Sequence, residues 1–64
     1  MSKMSEAIEK AIVWKKVETQ LSEQIEWAET HNYPELAEAL IAAREHAKTT
    51  SQSFSKIAAD EIVL

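Results

Sequence analysis

Apolar side chains recur every seven residues through the second half of the chain. One position of this repeat holds Leu36, Ala43, Thr50, Ile57 and Leu64, and a second position holds Leu40, Ala47 and Phe54. Residues at these spacings fall on one narrow stripe of an α-helix, which is typical of a helix that packs lengthwise against a neighbour. The pattern predicts a second helix that starts near Tyr33 and uses this stripe as its packing seam.

The first half carries a similar stripe, in which apolar residues follow one another at three- and four-residue steps. Its members are Met4, Ala7, Ile8, Ala11, Trp14, Val17, Leu21, Ile25 and Ala28. They predict a first helix from about Ser5 to about Thr30. Trp14 and Leu21 are the bulky residues that we expect at its packing seam.

The single proline marks the connection between the two helices, near residues 30–34. Asn32 can cap the second helix, and Glu35, three residues on, completes the reciprocal arrangement of a capping box. Pro34 then falls in the first helical turn, where its missing N–H is not needed. Because so short a connection makes the helices antiparallel neighbours, the sequence predicts an all-α fold, one helical-hairpin domain over residues 1–64.

The second helix contains a stretch of low helical propensity at residues 49–53. Its hydroxyl side chains compete for backbone hydrogen bonds, so a kink or a break before a third short helix is one alternative. We favour a continuous helix, because the heptad runs on through Phe54 and Ile57 without a change of phase. The middle of the stripe is rich in alanine, which predicts close approach of the two backbones.

The chain is short for a protein with two apolar stripes to bury. A lone pair of helices has one seam, and chains of about this length usually need a disulfide, a metal or a partner chain for stability. The sequence has 64 residues and no cysteine, which excludes disulfides and thiolate metal sites. We therefore expect the hairpin to self-associate into a four-helix bundle, with the stripes of both helices as its seam.

No pattern typical of catalysis, cofactor binding or metal binding is present in the sequence. His31 and His46 stand fifteen residues apart, and neither has the Glu-x-x-His or His-x-x-x-His spacing of helical metal sites. The glutamates near the turn are expected to fan around the outer surfaces of the helices rather than converge on one ion. We therefore predict a protein that is not an enzyme, and the role of accessory subunit to an enzyme stays open.

Glu18 falls in the middle of the apolar stripe of the first helix. We expect it to be partly buried and to pair with a lysine or with Arg44, or to lie at the edge of the seam. A charge of this kind can fix the register of a dimer, so we favour a structural role for it over catalysis.

Charge is distributed unevenly along the chain. Residues 1–17 carry a net charge of +2, residues 18–45 a net charge of −6, and the remainder sums to zero. In an antiparallel hairpin the turn end is therefore acidic, and the end with the termini is mildly basic. A basic end with Trp14 nearby could contact phosphate and stack on a base, so nucleic-acid binding is the alternative to protein binding. We favour a protein partner, because four lysines are few for a nucleic-acid interface.

Three large apolar residues lie away from the main stripe, on the back of the first helix: Ile12, Val13 and Trp27. Lys16 lies among them. Tryptophan is the residue type most enriched at interface hot spots, so these four residues are the predicted partner-binding face. We slightly favour the other interpretation, internal packing, with Ile12 and Val13 against the second hairpin of a dimer and Trp27 folded over Tyr33 at the turn.

A chain of this length that folds as a hairpin with its turn at the midpoint, and that dimerises antiparallel, resembles the Rop-type plasmid copy-number regulators. The resemblance implies a regulator that binds RNA. It covers the architecture and no motif, so no RNA-contacting residue is carried over to this sequence.

The expected function is that of a self-associating helical protein that binds another protein, as a regulator, adaptor or inhibitor. We expect no cofactor. No run of about 20 apolar residues is present, so no membrane span is expected. The N-terminus lacks the apolar core of a signal peptide, so the expected location is cytoplasmic.

Overall fold

A computed structural model describes the backbone of residues 3–62 and the side chains of residues 5–60. Helix α1 spans Lys3–Thr30 and helix α2 spans Pro34–Ile62. The two helices pack against each other along their length as an antiparallel hairpin, 50 × 15 × 12 Å in extent. The prediction of an all-α hairpin with its turn near residues 30–34 is confirmed, and its self-association stays a prediction.

Helix α1 ends in a Schellman motif, in which N–H groups beyond the helix bond to its last carbonyl oxygens. The N–H of Tyr33 donates to the carbonyl oxygen of Ala28 at 2.8 Å, and the N–H of Asn32 donates to that of Glu29 at 3.2 Å. Asn32 has a φ of 66°, the left-handed conformation that asparagine adopts more readily than most residues. Asn32 is therefore the residue at which the chain turns away from α1.

The predicted capping box of Asn32 and Glu35 is wrong. Tyr33 precedes the first residue of α2, and its carbonyl oxygen accepts the first bond of that helix, from the N–H of Ala37 at 3.0 Å. Tyr33 is thus the N-cap of α2. Asparagine suits either position, and the turn needed one residue with positive φ. Because the chain has no glycine, Asn32 takes that place.

The seam between the helices follows a regular heptad on both sides. Its members are buried or half-buried: Ala7, Ala11, Trp14, Glu18, Leu21, Ile25 and Ala28 on α1, and Ala37, Leu40, Arg44, Ala47, Ser51, Phe54 and Ala58 on α2. The buried apolar members are five alanines and Ile25. The backbones can therefore approach closely, but the hairpin encloses little apolar bulk.

Part of the stripe predicted for α2 lies outside this seam. Leu36, Ala43 and Ile57 are exposed, so the prediction that they pack between the two helices of the hairpin is wrong. The seam instead passes through the residues that directly follow them, a heptad that contains Arg44 and Ser51. Because of these polar members, the observed seam heptad is less apolar than the predicted one. Its remaining members, Ala37 and Ala58, are small, which lets the two backbones approach closely.

The other predicted stripe residues lie at the seam, at its edge, or beyond the described part of the chain. The buried ones are Ala7, Ile25, Ala28 and Ala47, and the half-buried ones are Ala11, Trp14, Val17, Leu21, Leu40, Thr50 and Phe54. Ile8, predicted in the stripe of α1, is 42% exposed. Leu64 and the side chain of Met4 lie outside the described residues. A role for these stripes in an interface between chains stays a prediction.

Helix α2 is continuous through its hydroxyl-rich stretch, as the heptad favoured. The hydroxyl of Thr50 donates to the carbonyl oxygen of His46 at 2.8 Å, and the hydroxyl of Ser53 donates to that of Thr49 at 3.0 Å. These side chains find acceptors one helical turn back along the same helix. They therefore satisfy their hydrogen bonds without breaking α2.

Candidate interaction surfaces

Of the four residues predicted as one partner-binding face, Ile12, Val13 and Lys16 are neighbours on the outside of α1, and Trp27 lies farther along the same helix. Ile12 and Lys16 line one shallow groove on the outside of α1. Trp27 stacks instead on Tyr33 beside the turn. Val13 lies on the side of Trp27, because fourteen residues are close to four full helical turns. A role for these four residues in binding a partner stays a prediction.

One side of the hairpin carries no formal charge over most of its length, and we call it the uncharged face. On α1 it consists of Val13, Val17, Gln20, Gln24 and Trp27, and on α2 of Leu36, Ala39, Ala43, His46, Thr50, Ser53 and Ile57. Histidine is counted as neutral. These residues flank the seam at the heptad positions that face the same side of both helices.

Two ring contacts show that the two rows of the uncharged face meet on one side. The ring of His46 meets the edge of Trp14, with 6.4 Å between ring centroids. Towards the termini, the ammonium of Lys10 lies 5.7 Å from the centre of the Phe54 ring. The charged side chains that border the face lie towards this end, and among the described residues they are Glu6, Lys10 and Asp60.

The uncharged face exposes large apolar side chains at both of its ends. Val13 and Trp27 on α1 are 55% and 49% exposed, and Leu36 and Ile57 on α2 are 44% and 46% exposed. Between them the face is lined by small and neutral polar side chains. Exposed apolar side chains without charges among them are typical of a surface that contacts another protein.

An aromatic stack closes the turn end of this face. The Trp27 ring stacks with the rings of His31 and Tyr33, with centroid distances of 4.3 Å and 5.7 Å and interplanar angles of 22° and 12°. The Nδ1 of His31 donates to the carbonyl oxygen of Trp27 at 2.8 Å, which requires the proton on Nδ1. The expected packing of Trp27 over Tyr33 is therefore present, although half of the Trp27 side chain remains exposed.

We call the opposite side of the hairpin, with the outer edges of both helices, the charged face. It carries seven glutamates and four lysines: Glu9, Lys15, Lys16, Glu23, Glu26, Glu29, Glu35, Glu38, Glu45, Lys48 and Lys56. Its exposed apolar residues are Ile8, Ile12 and Ile41. Ile12 lies between two shallow grooves, one with Lys16 and Thr19 along α1 and one with Ser55 across the seam.

The seam holds two charged residues that do not pair with each other. Glu18 forms an ion pair of 3.3 Å with Lys15, and the guanidinium of Arg44 donates to the hydroxyl of Ser22 at 3.4 Å. The predicted pairing of Glu18 with a lysine is confirmed, and pairing with Arg44 is not what the structure shows. Oε2 of Glu18 is buried and accepts no hydrogen bond, because the Lys15 ammonium lies nearby without hydrogen-bond geometry.

The described residues offer no group of three or more histidine, aspartate or glutamate side chains that could hold a metal ion. His31 lies against Trp27, and His46 lies against Trp14. The grooves on the surface are shallow and open, unlike the concave pockets that bind small molecules. Neither described helix has an apolar stretch long enough to cross a membrane.

Comparison with protein-family models, with curated proteins and with solved structures found no match. A proposal about function therefore rests on the surfaces of the hairpin.

The pattern of apolar residues along each single helix does not indicate the uncharged face. The signal was available, because no charged residue occupies the heptad positions of Val13, Val17, Gln20, Gln24 and Trp27, nor the matching positions of α2 between Leu36 and Ile57. The uncharged face can be recognised once the seam is known, since the seam determines which rows of residues on the two helices lie side by side.

Proposed function

We propose that this protein is a self-associating helical hairpin that forms a four-helix bundle and acts by binding another protein. The observation that carries the proposal is the mismatch between a seam whose buried apolar residues are mainly alanine and the large apolar side chains left outside it. Ile12, Val13, Trp27, Leu36 and Ile57 are all more exposed than any residue of the seam. A second chain would bury large apolar side chains that the hairpin alone leaves exposed.

The accessible surface of the chain supports this proposal. It amounts to 5005 Å², whereas a compact monomer of this mass exposes about 4,100 Å². The excess is close to the ~800 Å² that each partner buries in a protein–protein interface of standard size. The elongated shape of the hairpin is the cause, since two helices side by side leave both flat sides exposed.

The charged face supports the second half of the proposal, contact with a different protein. Ile12 is exposed between two grooves, and Lys15 and Lys16 lie beside it. An apolar residue with cationic neighbours suits a partner surface that offers apolar contact and carboxylates. A regulator, an adaptor or an inhibitor would each act through such a contact.

Sedimentation equilibrium and thermal unfolding at several protein concentrations test the self-association. We expect a dimer at micromolar concentration and a melting temperature that rises with protein concentration. A folded monomer whose melting temperature does not depend on concentration would overturn the proposal.

Photo-cross-linking in cells of the source organism tests the contact with another protein. A photoreactive residue at Thr19, beside Ile12, should give an adduct with a different protein. The adduct should disappear with Ile12→Glu and persist with Ile12→Val. Adducts of the chain with itself alone, or an adduct that persists with Ile12→Glu, would remove the charged face as the partner site.

A further inference from the structure

The uncharged face is suited to contact with a copy of itself. A symmetric dimer brings the same surface of both chains together, so a surface with a net charge meets a surface with the same net charge. The uncharged face avoids this cost between Val13 and Trp27 on α1 and between Leu36 and Ile57 on α2. The charged face, with seven glutamates against four lysines, would not avoid it.

The order of side chains along α2 suits an antiparallel copy. At seven-residue steps the uncharged face presents Leu36, Ala43, Thr50 and Ile57, an order of large, small, small and large that is similar in both directions. If two copies run antiparallel, Leu36 meets Ile57 of the partner subunit and Ala43 meets Thr50 of the partner subunit. Near the midpoint of α1, Val17 meets the partner's Val17.

The charges at the two ends of the hairpin favour the same orientation. Residues 18–45 carry a net charge of −6 and surround the turn, whereas residues 1–17 carry a net charge of +2. Parallel copies would bring the two acidic turn ends together. Antiparallel copies place each acidic turn end beside a basic terminal segment, which lowers the repulsion within the range of about 8 Å that physiological salt leaves unscreened.

We propose that the uncharged face is covered by a second copy of this chain, with the two hairpins antiparallel, so that the turn of one lies beside the termini of the other. This inference rests on the proposed self-association and adds the surface and the orientation. The charged face, with its grooves at Ile12, then lies on the outside of the dimer.

Cross-linking between single-cysteine variants tests the surface and the orientation, and the absence of cysteine from the chain makes every such variant unambiguous. Ala39 and Ser53 are exposed on the uncharged face, on either side of its middle on α2, which lies between residues 46 and 47. Ala39→Cys and Ser53→Cys chains, one labelled with ¹⁵N, are mixed, unfolded, refolded together and treated with a short bis-maleimide. Mass spectrometry then measures the mixed dimer.

Two matched pairs serve as controls. Glu38→Cys with Gln52→Cys moves each site by one residue along α2, onto the charged face. Ala39→Cys with Gln24→Cys joins residues that meet only if the copies run parallel. All of these positions are exposed in the hairpin, so the variants should keep their helical circular dichroism.

We expect about tenfold more mixed dimer from the 39/53 pair than from either control, because cross-linking requires close approach of the two side chains. A dimer that cross-links through the 38/52 pair would overturn the choice of face, and one that cross-links through the 39/24 pair would overturn the orientation. Both outcomes leave self-association intact. A monomer in sedimentation would instead overturn the proposed function itself.

Discussion

The hydroxyl of Ser51 donates a hydrogen bond of 3.2 Å to the backbone carbonyl oxygen of Ala11, across the seam of the hairpin. Ser51 is the buried polar residue of the seam. Its neighbours Thr50 and Ser53 bond back to their own helix, whereas Ser51 joins α2 to α1. A stretch whose sequence indicates a weak point in α2 therefore contributes a link between the helices.

Replacement of Ser51 should weaken the hairpin. Ser51→Ala removes the bond to Ala11, and we expect a loss of about 0.5–1.5 kcal/mol in the free energy of unfolding. Urea unfolding at one fixed protein concentration, followed by circular dichroism, measures it. Ser55→Ala, an exposed hydroxyl on the same helix, is the control and should change little. Equal effects of the two substitutions would argue against the bond.

The alanine seam should not tolerate a larger side chain. Ala47 is 1% exposed, so Ala47→Leu has to push the helices apart or distort side chains, at a cost of about 1–3 kcal/mol. Ala42→Leu places the same residue on the exposed edge of α2 and should be close to neutral. If Ala47→Leu were as stable as the unmodified chain in urea, the close approach at this level would be wrong.

The turn should depend on the left-handed conformation of Asn32. Alanine in that conformation is less favourable, so Asn32→Ala should lower the free energy of unfolding by about 1 kcal/mol. Asn32→Gly should be at least as stable as Asn32→Ala, because glycine adopts positive φ without steric cost. The reverse order of the two variants in thermal unfolding would contradict this account of the turn.

Glu18 should be replaceable by an apolar residue. Its Oε2 atom is buried without a hydrogen bond, and its partner Lys15 is 70% exposed, so the ion pair contributes little. We expect Glu18→Leu to raise the free energy of unfolding by about 1 kcal/mol. The exposed Glu23→Leu is the control. A clear loss of stability in Glu18→Leu would show that the carboxylate stabilises the seam.

A charge on the uncharged face should weaken dimerisation without unfolding the hairpin. Ala43→Glu places like charges near the middle of the proposed interface. We expect the dissociation constant of the dimer to rise at least about tenfold, which equals ~1.4 kcal/mol. Ala42→Glu, one residue earlier on the outer edge, should leave the dimer intact. Analytical ultracentrifugation of both variants measures the difference, and an unchanged Ala43→Glu dimer would contradict the proposed face.

The fold could be predicted from the sequence because its signals are local. One proline, the absence of glycine and two heptads over long segments determine two helices and a short turn. The role of Asn32 could not be predicted, since asparagine is favoured both at the start of a helix and just beyond its end. The choice depended on a backbone angle that the sequence does not state.

The surfaces were harder to predict than the fold. Two adjacent heptads of α2 could form the seam. The one with Ala37 and Ala58 forms it, although the one with Leu36 and Ile57 is more apolar. Apolar content alone cannot decide this, because close packing of backbones favours small side chains over large ones.

The hairpin is one helix thick, at 12 Å in its smallest dimension, and this thinness has a consequence for valency. A copy on the uncharged face leaves the charged faces of both chains outside, pointing in opposite directions. Such a dimer would present two copies of the proposed docking site, and they would point too far apart for one small partner to occupy both. It would therefore bridge two partner molecules, and its affinity for a surface that displays many copies of that partner would exceed its affinity for a single one.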